Sequence, residues 1–523
     1  MRRPSPSDAR DADELTATAG VRTADGNEVF DLEVETELRL EAPFDAASPL
    51  QLRLGRGTAE VLGRELALGQ WYTLRPGQKL GVFTWHGCRV EVRGFSDVPP
   101  YVADETPLPL LVNFHDVLQH QREQWRRRGT TGAAGQRPPR VAVVGPRDSG
   151  KLTVASTLAA YALRHLGARL AMVDLDPAGG IGAATRLAGV PGSLCLASLE
   201  RPLLPLEDAT AFERPMSFFY GHLMPSDNDK VYLAMVEAVR QRLDAWSERV
   251  DQKRSQLIAS RTTAASGGAV DAPELFNAGS VVCVPAWIDS REGYEQLRAI
   301  LTTVQPTCIL VLESERLQAL LKRDFDARSR APATTTDAST TAVVRLPKSG
   351  GVVVRDTAVR RRERDQRFRA YFYGHAGELS PHSLWVSERD ATMYKFGGRP
   401  MAPLTALPLG QTASAQDMAE LTVLERPAEE MMHAIGAVSQ APEGEGSGAE
   451  AAAGDDGAAT EGAFPQSTVS AELAERLLRS PAFGFVHVTA IDTYRSRVRL
   501  LCPSPGKLPS RYLHLSTDIR WVE

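Results

Sequence analysis

Residues 145–153 read Gly145-Pro146-Arg147-Asp148-Ser149-Gly150-Lys151-Leu152-Thr153. The pattern G-x-x-x-x-G-K-[ST] holds as far as Lys151, and Leu152 then stands where a hydroxyl belongs. Such a loop cradles a triphosphate. Backbone N–H groups at a helix start face the oxyanions, and the lysine reaches the β- and γ-phosphates. Asp148, Ser149, Gly150, Lys151, Leu152 and Thr153 are therefore the expected phosphate-binding residues. The missing hydroxyl normally holds the magnesium ion on which phosphoryl transfer depends, so its loss separates holding a nucleotide from doing chemistry with it. Thr153 offers a hydroxyl one residue late, about 100° further round a helix. The plainer alternative is a relic loop that holds nothing.

Two carboxylates and a basic run are the other chemical candidates. Asp174 and Asp176 end the apolar run Arg169-Leu170-Ala171-Met172-Val173, at the carboxyl edge where ligands sit in open α/β sheets. Either could hold magnesium through water or accept a hydroxyl proton; alternatively, one caps the turn before Pro177. Arg360, Arg361, Arg362, Arg364, Arg367 and Arg369 are interleaved with Glu363, Asp365 and Gln366. On a helix, Arg360 shares a face with Arg364 and with Arg367. Brought over a triphosphate, these arginines would stabilise charge or position a nucleic-acid backbone. A solvated, salt-bridged helix is the alternative.

The elements that must position these groups are legible from periodicity. Arg140–Val144 reads as a buried strand, Lys151 to about His165 as a helix closed by Gly167, and Arg169–Asp176 as the next strand. That order is the context a phosphate loop requires. Further buried strands are expected at Ser280–Ile288, Cys308–Leu312 and Val343–Leu346, giving a doubly wound parallel sheet over residues 140–400. Residues 29–107 alternate in short runs, as at Val34–Leu40, Leu50–Leu54, Lys79–Trp85 and Arg89–Val92, which predicts a β-sandwich with Phe83 and Trp85 in its core. Residues 108–139 form a helical linker, a helix over Leu108–Arg128 followed by a Gly/Pro stretch. Residues 401–523 form a β-containing C-terminal domain. Residues 1–28 read as a disordered tail without an apolar signal core. Ser260–Ala272, Ala331–Thr341 and Ala441–Phe464 read as unstructured insertions.

Composition narrows the class. The chain of 523 residues carries a formal charge of −5, with 24% charged and 43% apolar residues. This excludes a global basic field for nucleic acid and leaves only a local one near residue 360. Five scattered cysteines without a CxxC pair argue for a reducing compartment and against zinc. No apolar run long enough for a membrane span occurs.

Several separated stretches then resemble one family, the eukaryotic group combining RNA 5′-hydroxyl kinases with the phosphate-loop subunit of the pre-mRNA cleavage and polyadenylation factor. They are Glu35-Thr36-Glu37-Leu38-Arg39-Leu40, Gly77 to Cys88, Leu346 to Val353, Arg369-Ala370-Tyr371-Phe372-Tyr373-Gly374, and Leu500 to Pro509. The resemblance covers nearly the whole chain. It implies three domains with ATP, accompanied by Mg2+, between the first two, and it assigns Glu37 and Lys79 to the base. Active kinases of the family carry Ser or Thr at Leu152 and an Asp-x-x-Gln pattern that here ends in Gly179. Their threonine-rich clasp is here Tyr220-Gly221-His222-Leu223-Met224-Pro225. Their base-stacking tryptophan matches Trp287, preceded by Ala286 instead of Gly. The lid arginines are retained at Arg360, Arg361 and Arg364.

This mixture is closest to the fungal cleavage-factor members. It implies a nuclear, ATP-binding scaffold of the pre-mRNA 3′-end cleavage complex. Its implied partners are other subunits of that complex, among them the scaffold subunit that binds the RNA polymerase C-terminal domain, with RNA as a further candidate and no membrane. The alternative is an active RNA 5′-hydroxyl kinase. In it, Lys151 would neutralise the γ-phosphate, Asp176 would take the hydroxyl proton, and Arg360 or Arg364 would stabilise the transferring group.

Overall fold

The computed structural model describes residues 20–22, 26–45, 48–128, 137–179, 190–201, 212–263, 275–326, 341–374, 377–387, 389–396, 421–424, 428–440 and 471–523. The N-terminal strands form two five-stranded sheets. One runs in the order Val21–Arg22, Glu28–Leu32, Cys88–Arg93, Gln51–Gly57, Trp71–Thr73. The other runs Tyr101–Ala103, Glu37–Glu41, Lys79–Phe83, Glu60–Val61, Arg64–Glu65. Period-two alternation sends Leu38, Leu40, Leu80 and Val82 into the core between the sheets, against Leu52, Leu54, Val90 and Val92. Glu37, Arg39, Glu41, Lys79 and Gly81 are thereby left on the outer face of the second sheet. Phe83 is buried, while Trp85 lies beyond the strand end, half-buried and edge-on to it at 4.7 Å. Within the span read as a tail, Val21–Arg22 pairs with Glu28 and Val29; residues 1–19 and 23–25 lie outside the described residues.

The helix Leu108–Arg128 follows, as its pattern predicts. It leads into a seven-stranded sheet whose parallel part is ordered Ala168–Asp174, Phe276–Cys283, Arg140–Val144, Cys308–Leu312, Ala342–Leu346. Phe276–Cys283 is buried along its full length, because helices cover both sheet faces. Leu108–Arg128 and Lys151–Leu163 lie on one side, and Asp229–Thr263 and Arg291–Val304 on the other. The sheet is doubly wound as expected, but mixed. Ser193–Leu199 and Phe212–Phe219 add antiparallel strands outside Ala168–Asp174. Of the three expected insertions, Ser260–Thr263 is the end of a helix. Residues 264–272, 331–340 and 441–464 lie outside the described residues.

The C-terminal sheet also has seven strands, ordered His382–Ser387, Arg497–Cys502, Ala482–Asp492, Ala434–Ser439, Tyr512–Arg520, Thr392–Phe396, Leu421–Val423. Two of these precede residue 400, so the sheet reaches back into the span assigned to the central domain. Helix Thr357–Tyr373 joins all three parts. Asp356 caps it by accepting the Val359 N–H at 2.7 Å. Arg362 pairs with Asp45 and lies 4.9 Å over the Phe44 ring of the sandwich. Phe368 and Phe372 are buried beside Trp521, Phe485 and Ile435 of the C-terminal part. Among the described residues, no helix is long and apolar enough to cross a membrane.

Candidate functional site

The loop leaves the buried strand Arg140–Val144 and enters helix Lys151–Leu163 through Gly150, whose φ of 83° lies in the left-handed region. A Cβ at Gly145 would stand 2.8 Å from Ser149 Oγ and 3.1 Å from Leu312 Cβ. Both glycines are thus required by geometry. Lys151 Nζ donates to Pro146 O at 2.9 Å and to Gly145 O at 3.3 Å, so the ammonium curls over the loop. Burial pulls its pKa down, and Asp176, Cys283, Asp174 and Asp148 oppose that shift. Leu152 is half-buried and packs on the apolar cluster beneath the helix while lining the cleft above it. Thr153 is exposed and lines the same cleft.

That cleft, about 230 Å³, brings together residues from four parts of the chain. The loop supplies Asp148 to Thr153, the sheet supplies Asp174, Asp176 and Cys283, and the segment Ser349–Arg355 closes one side. The sandwich contributes Glu37, Arg39, Lys79 and Gly81. Glu37 and Lys79, known to the sequence reading only through resemblance, therefore do share a cavity with Lys151. Strand register sets Glu37 opposite Phe83 and Lys79 opposite Glu41, so the two lie about 13 Å apart along the ladder. Glu37 accepts Arg39 Nε at 3.1 Å and Thr106 Oγ1 at 3.0 Å, and Lys79 Nζ pairs with Glu41 at 2.7 Å. Gly81 lies between them. A Cβ there would come within 2.4 Å of Glu37 Oε1.

Asp174 and Asp176 take up the capping alternative. Asp174 accepts the Asp176 N–H at 3.0 Å, and Asp176 accepts the Ala178 N–H at 3.1 Å, which caps the turn. Both carboxylates nevertheless line the cleft. Burial pushes Asp174 up to about 7, and Asp176 adds to it; the Asp176 amide, Arg367 and Lys151 pull the other way.

The lid arginines depart from expectation. Arg360 Nη2 reaches Asp148 Oδ2 at 2.5 Å, and neither Arg360 nor Arg364 lines the cleft. Arg355, which the sequence reading passed over, holds the same carboxylate through Nε at 3.0 Å and Nη2 at 2.9 Å. Its Nη1 reaches Glu363 at 2.9 Å. Arg364 is half-buried, and burial with the charges of Arg361 and Arg360 lowers its pKa against the pull of Asp365 and Glu363. Arg367 Nη1 donates to the Gly179 carbonyl at 2.5 Å. The basic run is thus neither a free lid nor a solvated helix. It is partly neutralised by the loop it was expected to cover.

Trp287 is also placed differently. It is 9% exposed and packs in the central core, while its backbone N–H donates to Gly145 O at 3.0 Å. Its ring is enclosed in that core and is not presented for base stacking. At the clasp positions, His222 pairs with Asp518 of the C-terminal sheet at 2.5 Å, and Arg147 Nη2 lies 2.8 Å from Met224 Sδ.

A phosphate loop on a mostly parallel sheet, with a β-sandwich closing its cleft and a second β domain behind the lid, defines a three-part P-loop nucleotide-binding protein. Family models divide the chain in the same way. Residues 31–125 match the N-terminal β-sandwich domain of polyadenylation factor, 145–374 the mRNA cleavage and polyadenylation factor CLP1 P-loop, and 379–523 the pre-mRNA cleavage complex II protein Clp1. The chain belongs to the Clp1 family of mRNA cleavage and polyadenylation factors. It is 33% identical to an Arabidopsis thaliana CLP1 homolog over 94% of each chain. It is 34% identical to the Danio rerio polyribonucleotide 5′-hydroxyl-kinase Clp1 over 94% of each, and 32% to the Homo sapiens protein of that name over 94% of this chain and 96% of that one. The fold matches a solved Clp1p–Pcf11p complex with TM-score 0.65 at 20% identity, covering 97% of this chain and all of that one. A second Clp1p structure, described as explaining ATP loss in a point mutant, matches with TM-score 0.66 at 20% identity, covering 96% and 100%.

Proposed function

We propose that the chain is an ATP-holding scaffold subunit of the nuclear pre-mRNA 3′-end cleavage complex and transfers no phosphate. Lys151 and the amides of Asp148 to Thr153 would hold the phosphates, and Glu37 and Lys79 would meet the base. Magnesium would be held by ATP oxygens and water, with Asp174 and Asp176 at the cleft edge. The observation that carries the reading is Leu152. Its side chain is anchored on the core beneath the helix and offers no oxygen to the metal. Gly179, tied to Arg367, and Arg360, tied to Asp148, support it. Partners would be the other subunits of that complex, since the solved structures similar in fold are of Clp1p with Pcf11p.

The kinase names of relatives at 32–34% identity favour a second reading, an active RNA 5′-hydroxyl kinase with Lys151 and Asp176 at the reacting groups. Transfer of labelled γ-phosphate to a 5′-hydroxyl RNA oligonucleotide decides between them. No labelling above a Lys151→Ala control is expected. Robust, Lys151-dependent labelling would make the protein a kinase.

A further inference from the structure

We propose that Asp148 is a positioning residue, an internal anion that latches the lid helix onto the phosphate loop and so controls how long a nucleotide is retained. This rests on the nucleotide-binding reading above for its second half only. The Asp148 side chain is 4% exposed. Its backbone has φ 51°, a left-handed conformation that non-glycine residues rarely hold unless their surroundings enforce it. The enforcement is visible. Oδ2 accepts the Arg355 N–H at 3.1 Å and Arg360 Nη2 at 2.5 Å, and Oδ1 accepts Arg355 Nε at 3.0 Å. Arg360 Nε in turn donates to Arg355 O at 3.1 Å. Glu363, buried on the same helix, takes the remaining arm of Arg355. Two carboxylates and two guanidiniums form a neutral quartet.

Such a quartet is fixed by forked, charge-assisted hydrogen bonds. Removing one member leaves a buried charge without its partner, the costly event at such sites. The latch also acts at a distance. Val352 lies directly over Gly150, where a Cβ would meet its Cγ2 at 3.2 Å. The helix that follows carries Arg362 to Asp45 of the sandwich and Phe368 and Phe372 to Trp521. Releasing Asp148 therefore loosens the wall of the cleft and both flanking parts together, while Lys151 keeps its own bonds to the Gly145 and Pro146 carbonyls.

The test uses the full chain and two readouts. Hydrogen exchange over residues 349–374 is measured on nucleotide-stripped protein, so this half is independent of any ligand. Asp148→Asn and Arg355→Gln are each expected to speed exchange there by about tenfold or more, leaving strand Arg140–Val144 protected. Unchanged lid exchange in both variants overturns the latch. Dissociation of a fluorescent ATP analogue is then followed by dilution. Each variant is expected to release it about tenfold faster, and the double variant no faster than the worse single one. Equal dissociation rates in wild type and variants, or no analogue binding by wild type, overturns control of retention. Independent, multiplying effects of the two substitutions overturn their coupling.

Discussion

The carbonyl of Gly179 receives Arg367 Nη1 at 2.5 Å, and the two residues close the turn after Asp176 against the lid helix. Active kinases of the resembled family have glutamine where this chain has Gly179. Gly179 has φ 38°, and a Cβ there would stand 2.4 Å from that guanidinium nitrogen. The arginine tip can swing aside, but the backbone strain stays. Gly179→Ala is therefore expected to cost about 1 kcal/mol, read as a lowered midpoint in urea with unchanged slope. No loss of stability contradicts the strained turn.

Leu152 separates binding from chemistry. Leu152→Thr removes apolar packing beneath the helix, at about 1 kcal/mol, and supplies the missing metal ligand. Magnesium is expected to strengthen ATP binding more in this variant than in wild type, measured by calorimetry with and without the ion. RNA labelling is not expected to return, since Arg360 stays engaged by Asp148. An identical magnesium response in both proteins would show that residue 152 does not face the metal.

The outer face of the sandwich makes a base-specific prediction. Glu37→Ala or Lys79→Ala is expected to weaken ATP binding more than inorganic tripolyphosphate binding. Gly81→Ala, which drives a methyl into the Glu37 carboxylate, should act in the same direction. Equal losses for both ligands would remove these residues from the base site.

How much of this was legible depended on sequence separation. The strand, loop and helix around Lys151 follow one another, so local pattern sufficed to place them. Glu37 and Lys79 carry no local signal; resemblance alone pointed to them, and the cleft that joins them to Lys151 forms only when the sandwich docks. Arg355 was missed because its partner Asp148 lies 207 positions away. The Ser193–Leu199 strand was missed because an apolar run does not announce an antiparallel partner. Trp287 matched a stacking residue in sequence and proved to be core, since burial depends on tertiary packing that a sequence match does not carry.

The burial of Trp287 has its own test. Trp287→Ala is expected to cost about 3 kcal/mol of stability, seen in thermal or urea unfolding. A variant of normal stability that has selectively lost RNA binding would return the ring to a stacking role.

Buried histidines predict acid sensitivity. Burial lowers His487 to about 4 and His514 to about 3, and both rings are almost fully enclosed. Their neutral forms are favoured in the folded state, so their contribution is complete above the unfolded value near 6.5. It is lost as pH falls through the folded values, on the order of 3 kcal/mol for His487 and about 5 kcal/mol for His514. Unfolding midpoints should drop between pH 6.5 and 4. Asp174, raised to about 7, acts oppositely and costs stability as pH rises from 4 to 7, so Asp174→Asn should stabilise more at pH 8 than at pH 5. A midpoint independent of pH from 6.5 to 4 in the Asp174→Asn variant, where the opposing carboxyl is gone, contradicts the histidine assignment.

The most direct measurement is the nucleotide released by denaturing the purified protein after incubation with 5′-hydroxyl RNA, resolved by chromatography. Near-stoichiometric, intact ATP from wild type and none from Lys151→Ala is the predicted result. ADP together with 5′-phosphorylated RNA, or equal nucleotide content in the two proteins, would contradict an ATP-holding scaffold.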